Sequence, residues 1–255
     1  MTRPAQGIRR GDARGPRVRG GAPGAAPARR GRGASRLLRI PGWWIADYAY
    51  AVHWQVRAFF SRLDPIELTT GHLRPVVVLP GVYETWRFLQ PLAQALHDRG
   101  HPVHVVEALG SNRRPVAEAA AEVADYLEEH DLEDVVLAAH SKGGLVGKYA
   151  MTLGGSARRI RSMVAVASPF AGSLYARWLP LPTLSIFSPR DPTILALARE
   201  RSVDERIVSV FGAFDPHIPE GSRLPGAKNV ELDTGGHFRV LADPRVIGEL
   251  VALSE

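Results

Sequence analysis

The stretch Asp134-Val-Val-Leu-Ala-Ala139-His140-Ser141-Lys142-Gly143-Gly144 decides how this chain folds. Residues 134–139 have the make-up of a buried strand, and the run from Leu145 to Leu153 has that of a helix. Ser141 therefore sits at a sharp strand-to-helix turn. Ala139 lies two residues before it and Gly143 two after, so no bulky side chain stands where strand and helix cross. Such a turn forces the serine toward positive φ and lifts its Oγ out at the end of the sheet. The start of the helix then aims free N–H groups at whatever the Oγ attacks.

Outward from this turn, strand-like and helix-like segments alternate after Asp64-Pro65. That pattern predicts an α/β fold with a mainly parallel sheet of about six strands covered by helices. Strands are expected over Pro75–Leu79, Pro102–Glu107, Asp134–Ala139, Ile160–Ala167, Arg206–Phe211 and Asn229–Leu232. Helices are expected over Glu84–Arg99 and Val116–His130. A last helix begins at Asp243-Pro244, where Asp caps and Pro takes the first turn. The alternation breaks between Phe170 and Ile194, which is rich in Pro, Leu and aromatics without clean periodicity. Loops of that length in compact domains tend to be functional.

The Ala-His-Ser-Lys-Gly-Gly segment resembles the nucleophile elbow of the α/β-hydrolases, in particular the lipase-like members with a His-Ser-x-Gly-Gly core. Ala139 takes the place of the first glycine of the family pattern and keeps its small size. The stretch Val166-Ala-Ser168-Pro169-Phe-Ala-Gly172 is similar to the Thr-Pro-x-x-Gly stretch of lipases. The resemblance covers about residues 75–250 and implies an α/β-hydrolase fold with a small lid at about 170–194.

It also implies a chain order of serine, acid, histidine. A serine hydroxyl needs a base to take its proton, and the base needs an acid to orient it. Ser141 is the expected nucleophile. The base expected is His237, in Thr234-Gly-Gly-His237-Phe238, past a strand and before the last helix. The acid expected is Asp215, in Gly212-Ala-Phe-Asp215-Pro216. Asp191, before Pro192, is a second candidate, because some family members place the acid one strand earlier. His217 lies two residues from Asp215 and Asp233 four from His237, so neither fits the same relay. The expected oxyanion donors are the backbone N–H groups of Lys142 and Val82. Pro80 stands where the family usually shows histidine, so the side-chain support of that loop must differ. Tyr83, Trp86, Phe170 and Trp178 are candidates for the substrate pocket, with core packing as the alternative.

The net charge of +6 is unevenly spread. Residues 1–40 hold 11 Arg and one Asp, a balance of +10, while the remainder carries 21 basic and 25 acidic side chains, a balance of −4. The first 40 residues are rich in Gly, Ala, Pro and Arg and are expected to form a disordered tail. Residues 41–64 are expected to form an aromatic helix packed on the body, and 65–255 the hydrolase domain. Asp47 and Arg57 make a membrane-spanning reading poor, at about 2.5–3.5 kcal/mol for such a residue at a helix centre. Peripheral membrane contact through this segment is the alternative, on an otherwise cytoplasmic protein.

There is no cysteine, hence no disulfide framework and no thiol nucleophile. His101 and His104 lack the further ligands that zinc needs, and no cofactor or metal is expected. The expected activity is hydrolysis of a carboxylic ester, from a small-molecule acyl ester or a lipid, through an acyl-enzyme on Ser141. A thioesterase, acyltransferase or lipid deacylase would use the same residues. A hydrolase-fold binding protein without catalysis is the alternative of another class. Nucleic acid is not an expected partner.

Overall fold

Runs of Val, Leu, Ala and Ile between helices build the sheet. The computed structural model describes residues 31–152, 156–177 and 182–255. In chain order the elements are α1 (Gly31–Phe60), β1 (Val76–Leu79), α2 (Gln90–His97), β2 (Val103–Val105), α3 (Val116–Glu129), β3 (Val135–His140) and α4 (Lys142–Ala150). They continue with α5 (Ser156–Arg159), β4 (Ile160–Val166), α6 (Pro182–Ser185), α7 (Pro192–Arg199), β5 (Ile207–Phe214), β6 (Lys228–Gly235) and α8 (Pro244–Ser254). The six strands form one sheet in the order β2-β1-β3-β4-β5-β6, and every pairing is parallel.

The central strands β1 and β3 read as nearly continuous buried apolar runs because helices cover both faces of a parallel sheet. Successive side chains alternate between two cores. Val77, Leu79, Leu137 and Met163 enter one, with α3 and α4 residues such as Val123 and Leu145. Val76, Val78, Val136 and Val164 enter the other, with Leu96 of α2 and Leu250 of α8. Burying a side chain of this size contributes about 1.5–3 kcal/mol. The cap expected at α8 forms, with Asp243 accepting from Arg245 N–H at 3.0 Å.

Several boundaries differ from the sequence expectation. The helix expected over Glu84–Arg99 is a 3-10 turn at Trp86–Leu89 followed by α2, with Pro91 in the first turn of the α-helix. Glu84 is therefore free of the helix and folds back onto Gly81. Strands β5 and β6 run on to Phe214 and Gly235, because these residues pair with each other beyond an irregularity at Gly212. Helix α1 begins at Gly31 and ends at Phe60, running through Pro41, so residues 31–40 are helical where a tail was expected. The rest of that tail, residues 1–30, lies outside the described residues.

The interval between β4 and β5 holds a 3-10 turn at Leu174–Arg177, α6 and α7. Its described part lies beside the carboxyl ends of the strands and supplies one wall of the cleft described below. Among the described residues, no helix is long and apolar enough to cross a membrane.

Candidate active site

The turn between β3 and α4 has the strained geometry that the sequence predicts. Ser141 has φ 51° and ψ −119°, outside the ordinary basins of an L-residue. Its N–H is held by the carbonyl of Val166 on the neighbouring strand at 2.8 Å. The crossing leaves no room for side chains: a Cβ on Gly143 would stand 2.2 Å from the carbonyl oxygen of Leu79. Strand β3 is central, so the serine emerges in the middle of the sheet's carboxyl edge, where open α/β sheets bind their ligands.

His237 and Asp215 reach the same point. The pairing of Phe214 with Gly235 brings the ends of β5 and β6 side by side, and each candidate residue follows its strand by one or two positions. His237 Nε2 lies 2.9 Å from Ser141 Oγ, and His237 Nδ1 lies 2.9 Å from Asp215 Oδ2. All three side chains are buried. Asp215 Oδ1 accepts from the N–H groups of His217 at 2.7 Å and Ile218 at 3.1 Å, so both carboxylate oxygens are committed.

The charges of this cluster act on one another. Burial by itself pushes the Asp215 carboxyl up; the charge and hydrogen bond of His237, with the amide donors, outweigh it and hold it below the usual range. Burial lowers His237, but Asp215 first, and Glu84 and Asp47 after it, hold the imidazole above its ordinary value. His217 stacks on His237 with ring centroids 4.7 Å apart. Burial and the positive field of His237 push it down to about 4, so it is neutral at pH 7.

Asp191 does not join this group. It caps α7, accepting from Thr193 N–H at 2.8 Å and Ile194 N–H at 3.3 Å. That is the ordinary use of an Asp one residue before Pro at a helix start.

The loop after β1 is braced by partners that replace the missing histidine. Glu84 accepts from Gly81 N–H at 2.8 Å, and Asn112 Nδ2 donates to the carbonyl of Pro80 at 2.6 Å. Tyr83, at φ 62°, donates its N–H to Ser111 O at 2.8 Å. Val82 N–H, between two engaged neighbours, has no protein acceptor among the described residues. Lys142 sends its buried side chain away from the cleft, where Nζ donates to the carbonyls of Asn112, at 2.8 Å, and Arg114. Burial pushes this amine down to about 8. The turn that carries Ser141 and the loop that carries Val82 thus share the 111–114 segment as a common brace.

Two buried acids behind the site carry no signal in a short motif. Asp47 of α1 is fully buried, and its carboxylate accepts three consecutive amides: His237 N at 2.9 Å, Phe238 N at 2.8 Å and Arg239 N at 2.8 Å. The glycines before His237 make room for α1. A Cβ on Gly235 would meet the Trp43 ring at 2.5 Å, and one on Gly236, at φ +128°, would meet Asp47 at 2.4 Å. Glu84 also pairs with His140 Nδ1 at 2.8 Å, and His140 Nε2 faces the carbonyl of His237 at 3.0 Å. A carbonyl only accepts, so a proton must sit on Nε2. Glu84 and His140 thereby tie the Gly81 loop to the backbone of His237. The readable signals were the Gly-Gly pair and a carboxylate inside an apolar helix, which needs a partner when buried.

A cleft of about 660 Å³ opens at Ser141 and His237. Its walls come from α1 (Tyr48, Val52), the β1 loop (Val82, Tyr83) and the interval after β4 (Tyr175, Leu184, Phe187). Of the aromatic residues expected at the pocket, Tyr83 lines it. Trp86 and Phe170 do not: both are buried, one in each core. The 3-10 turn at Trp86–Leu89 places Trp86 in the core that also holds Val76 and Val78 of β1, which sequence periodicity does not reveal. Trp178 lies outside the described residues.

A family model described as the alpha/beta hydrolase family matches residues 76–219. The match covers more than half of the chain, and the chain belongs to that family. Among solved structures, the lipase BlEst2 of Bacillus licheniformis, in mature form, is similar at 16% identity with a TM-score of 0.57, over 72% of this chain and 93% of that one. An alpha/beta hydrolase fold protein from Burkholderia ambifaria is similar at 16% identity with a TM-score of 0.53, over 72% of this chain and 91% of that one. At such identity the likeness concerns the fold. No curated protein matches the sequence.

Proposed function

We propose that this chain is a serine hydrolase that cleaves carboxylic esters through an acyl-enzyme on Ser141. The observation that carries the reading is His237, which touches Ser141 Oγ with one ring nitrogen and Asp215 with the other, both at 2.9 Å. In this reading Ser141 Oγ attacks the ester carbonyl while His237 Nε2 takes its proton. Asp215 holds the imidazole by Nδ1–H and stabilises the imidazolium. The backbone N–H groups of Val82 and Lys142 receive the developing oxyanion. The intermediate collapses as His237 returns the proton to the leaving alcohol. Water, deprotonated by His237, then attacks the acyl carbonyl and releases the acid and Ser141.

The cleft supports an acyl substrate, since its volume lies within the range of about 300–1,000 Å³ of small-molecule sites and its walls are largely aliphatic and aromatic. The fold shared with a bacterial lipase agrees with that substrate class.

The test is labelling with a fluorophosphonate, which reacts only with an activated serine, beside turnover of p-nitrophenyl esters from acetate to palmitate. Labelling of the wild type, absent in Ser141→Ala, with turnover of at least one ester, is expected. A wild type that is neither labelled nor active on the series would favour a binding protein on this fold.

A further inference from the structure

Helix α1 uses one side to hold the body and leaves the other apolar. Trp43, Asp47, Tyr50, Trp54 and Ala58 recur at three- and four-residue steps and turn inward. The opposite side carries Leu38, Ile45, Val52, Val56, Phe59 and Phe60, each between 51% and 85% exposed. A surface helix ordinarily places charge there. At 3.6 residues per turn these positions form one stripe, roughly 33 Å long. Between Leu38 and Phe60 the charged residues are Arg39, Asp47 and Arg57. Asp47 is buried, and the two guanidiniums lie over the rings of Trp43 and Trp54, beside the stripe and outside it. An exposed apolar patch of this extent marks an interaction site.

Three occupants differ in chemistry. Residues 1–30 offer Met1, Ile8 and Val18 as large apolar side chains against eight arginines, too few to cover the stripe. A second copy would bring together two segments that hold 13 Arg and two Asp each in residues 1–62. Like charges at that density oppose such a contact. An anionic bilayer satisfies both features, taking the stripe into the acyl boundary and the arginines against its headgroups. The position of the cleft agrees. Tyr48 and Val52 belong to α1 and to the cleft wall, and the exposed Tyr83 and Tyr175 line the same cleft. We propose that the outer face of α1 docks on anionic lipid bilayers and holds the mouth of the Ser141 cleft against them. The docking does not rest on the hydrolase reading, and its test is read without turnover.

The full-length chain is sedimented with sucrose-loaded vesicles of phosphatidylcholine, alone or with about one third phosphatidylglycerol. The wild type is expected to pellet with the mixed vesicles and to lose this at high salt. The variant Ile45→Ser, Val56→Ser, Phe59→Ser, Phe60→Ser changes exposed residues that do not line the cleft. It should keep its melting temperature and bind mixed vesicles at least about tenfold more weakly. Should that variant fail to melt cooperatively, the wild type alone still decides. Mixed vesicles with brominated acyl chains should quench its tryptophan emission through Trp44, half-exposed on α1. A wild type that stays in the supernatant, a folded variant that binds equally, or absence of quenching would overturn the proposal. So would a wild-type dimer in ultracentrifugation that the same variant converts to monomer, which would make the face a contact between copies.

Discussion

Ser141 is held by its neighbours in the chain, whereas His237 is held by a helix 190 residues away in sequence. The serine takes its geometry from six contiguous residues, whose small members let β3 cross into α4, and from one bond to the next strand. The histidine sits on a loop whose three successive amides end on Asp47, while its own carbonyl ends on His140. The placement of the proposed nucleophile is thus a property of local sequence and that of the proposed base a property of assembly. Damage to the first should abolish chemistry and spare the fold, and damage to the second should loosen chemistry by degrees.

The largest effect should come at the local end. Ser141→Ala is expected to lower kcat on a soluble ester by about 10⁴–10⁶ with an unchanged melting temperature. Turnover within tenfold of wild type would remove Ser141 from the reaction. Next comes the acid. Asp215→Asn is expected to cost about 10⁴ in kcat, since the imidazole loses the partner that sets its tautomer. Asp191→Ala is its control: it should cost about 1 kcal/mol of stability as a lost helix cap and leave kcat alone. The reverse pair of outcomes in ester kinetics and thermal melts would return the acid to the earlier loop.

Asp47 tests the assembled end. Asp47→Asn keeps the volume but turns an amide N–H₂ toward at least one of three N–H donors. The loop must shift, and a displacement near 1 Å costs about 10²-fold. We expect kcat to fall about 10–100-fold with KM little changed. A loss as deep as that of Ser141→Ala would mean that α1 does more than hold the loop. No loss would mean that the loop holds itself.

This division also explains what could be read from sequence. Alternating apolar segments and the Asp243-Pro244 cap reveal the sheet and α8 because each depends on residues within a few positions. Ser141, Asp215 and His237 stand at strand ends in a known order, and the structure brings the three together. The pattern around Asp47 reports only its cost in a membrane, whereas in the structure the same carboxylate holds three amides. The sequence pattern places Glu84 in a helix, whereas the 3-10 turn begins two residues later, and this difference hides the contact of Glu84 with Gly81 and His140. Trp86 and Phe170 show the same limit from the other side. Aromatic side chains near a site enter core or cleft according to the aim of a single turn, and no local pattern reports that aim.

The smallest effect is a shift along the pH axis, and its sign separates the carboxylates from mere packing. In the proposed reaction neutral His237 takes the serine proton, so the rate should rise with pH as the imidazole loses its charge. Against burial, Asp215 and then Glu84 and Asp47 hold this pKa above the ordinary value of about 6.5. The acid limb of kcat/KM in the wild type should therefore lie above that value. His217 does not obscure the limb, because it titrates at about 4. Asp47→Asn and Glu84→Gln each remove a negative charge that favours the imidazolium, so each should move the limb toward lower pH. A variant that only loosened the loop would lower the plateau and leave the limb in place. A pH–rate profile of Asp47→Asn with a lower plateau and an unmoved limb would leave α1 its mechanical role and deny it the electrostatic one.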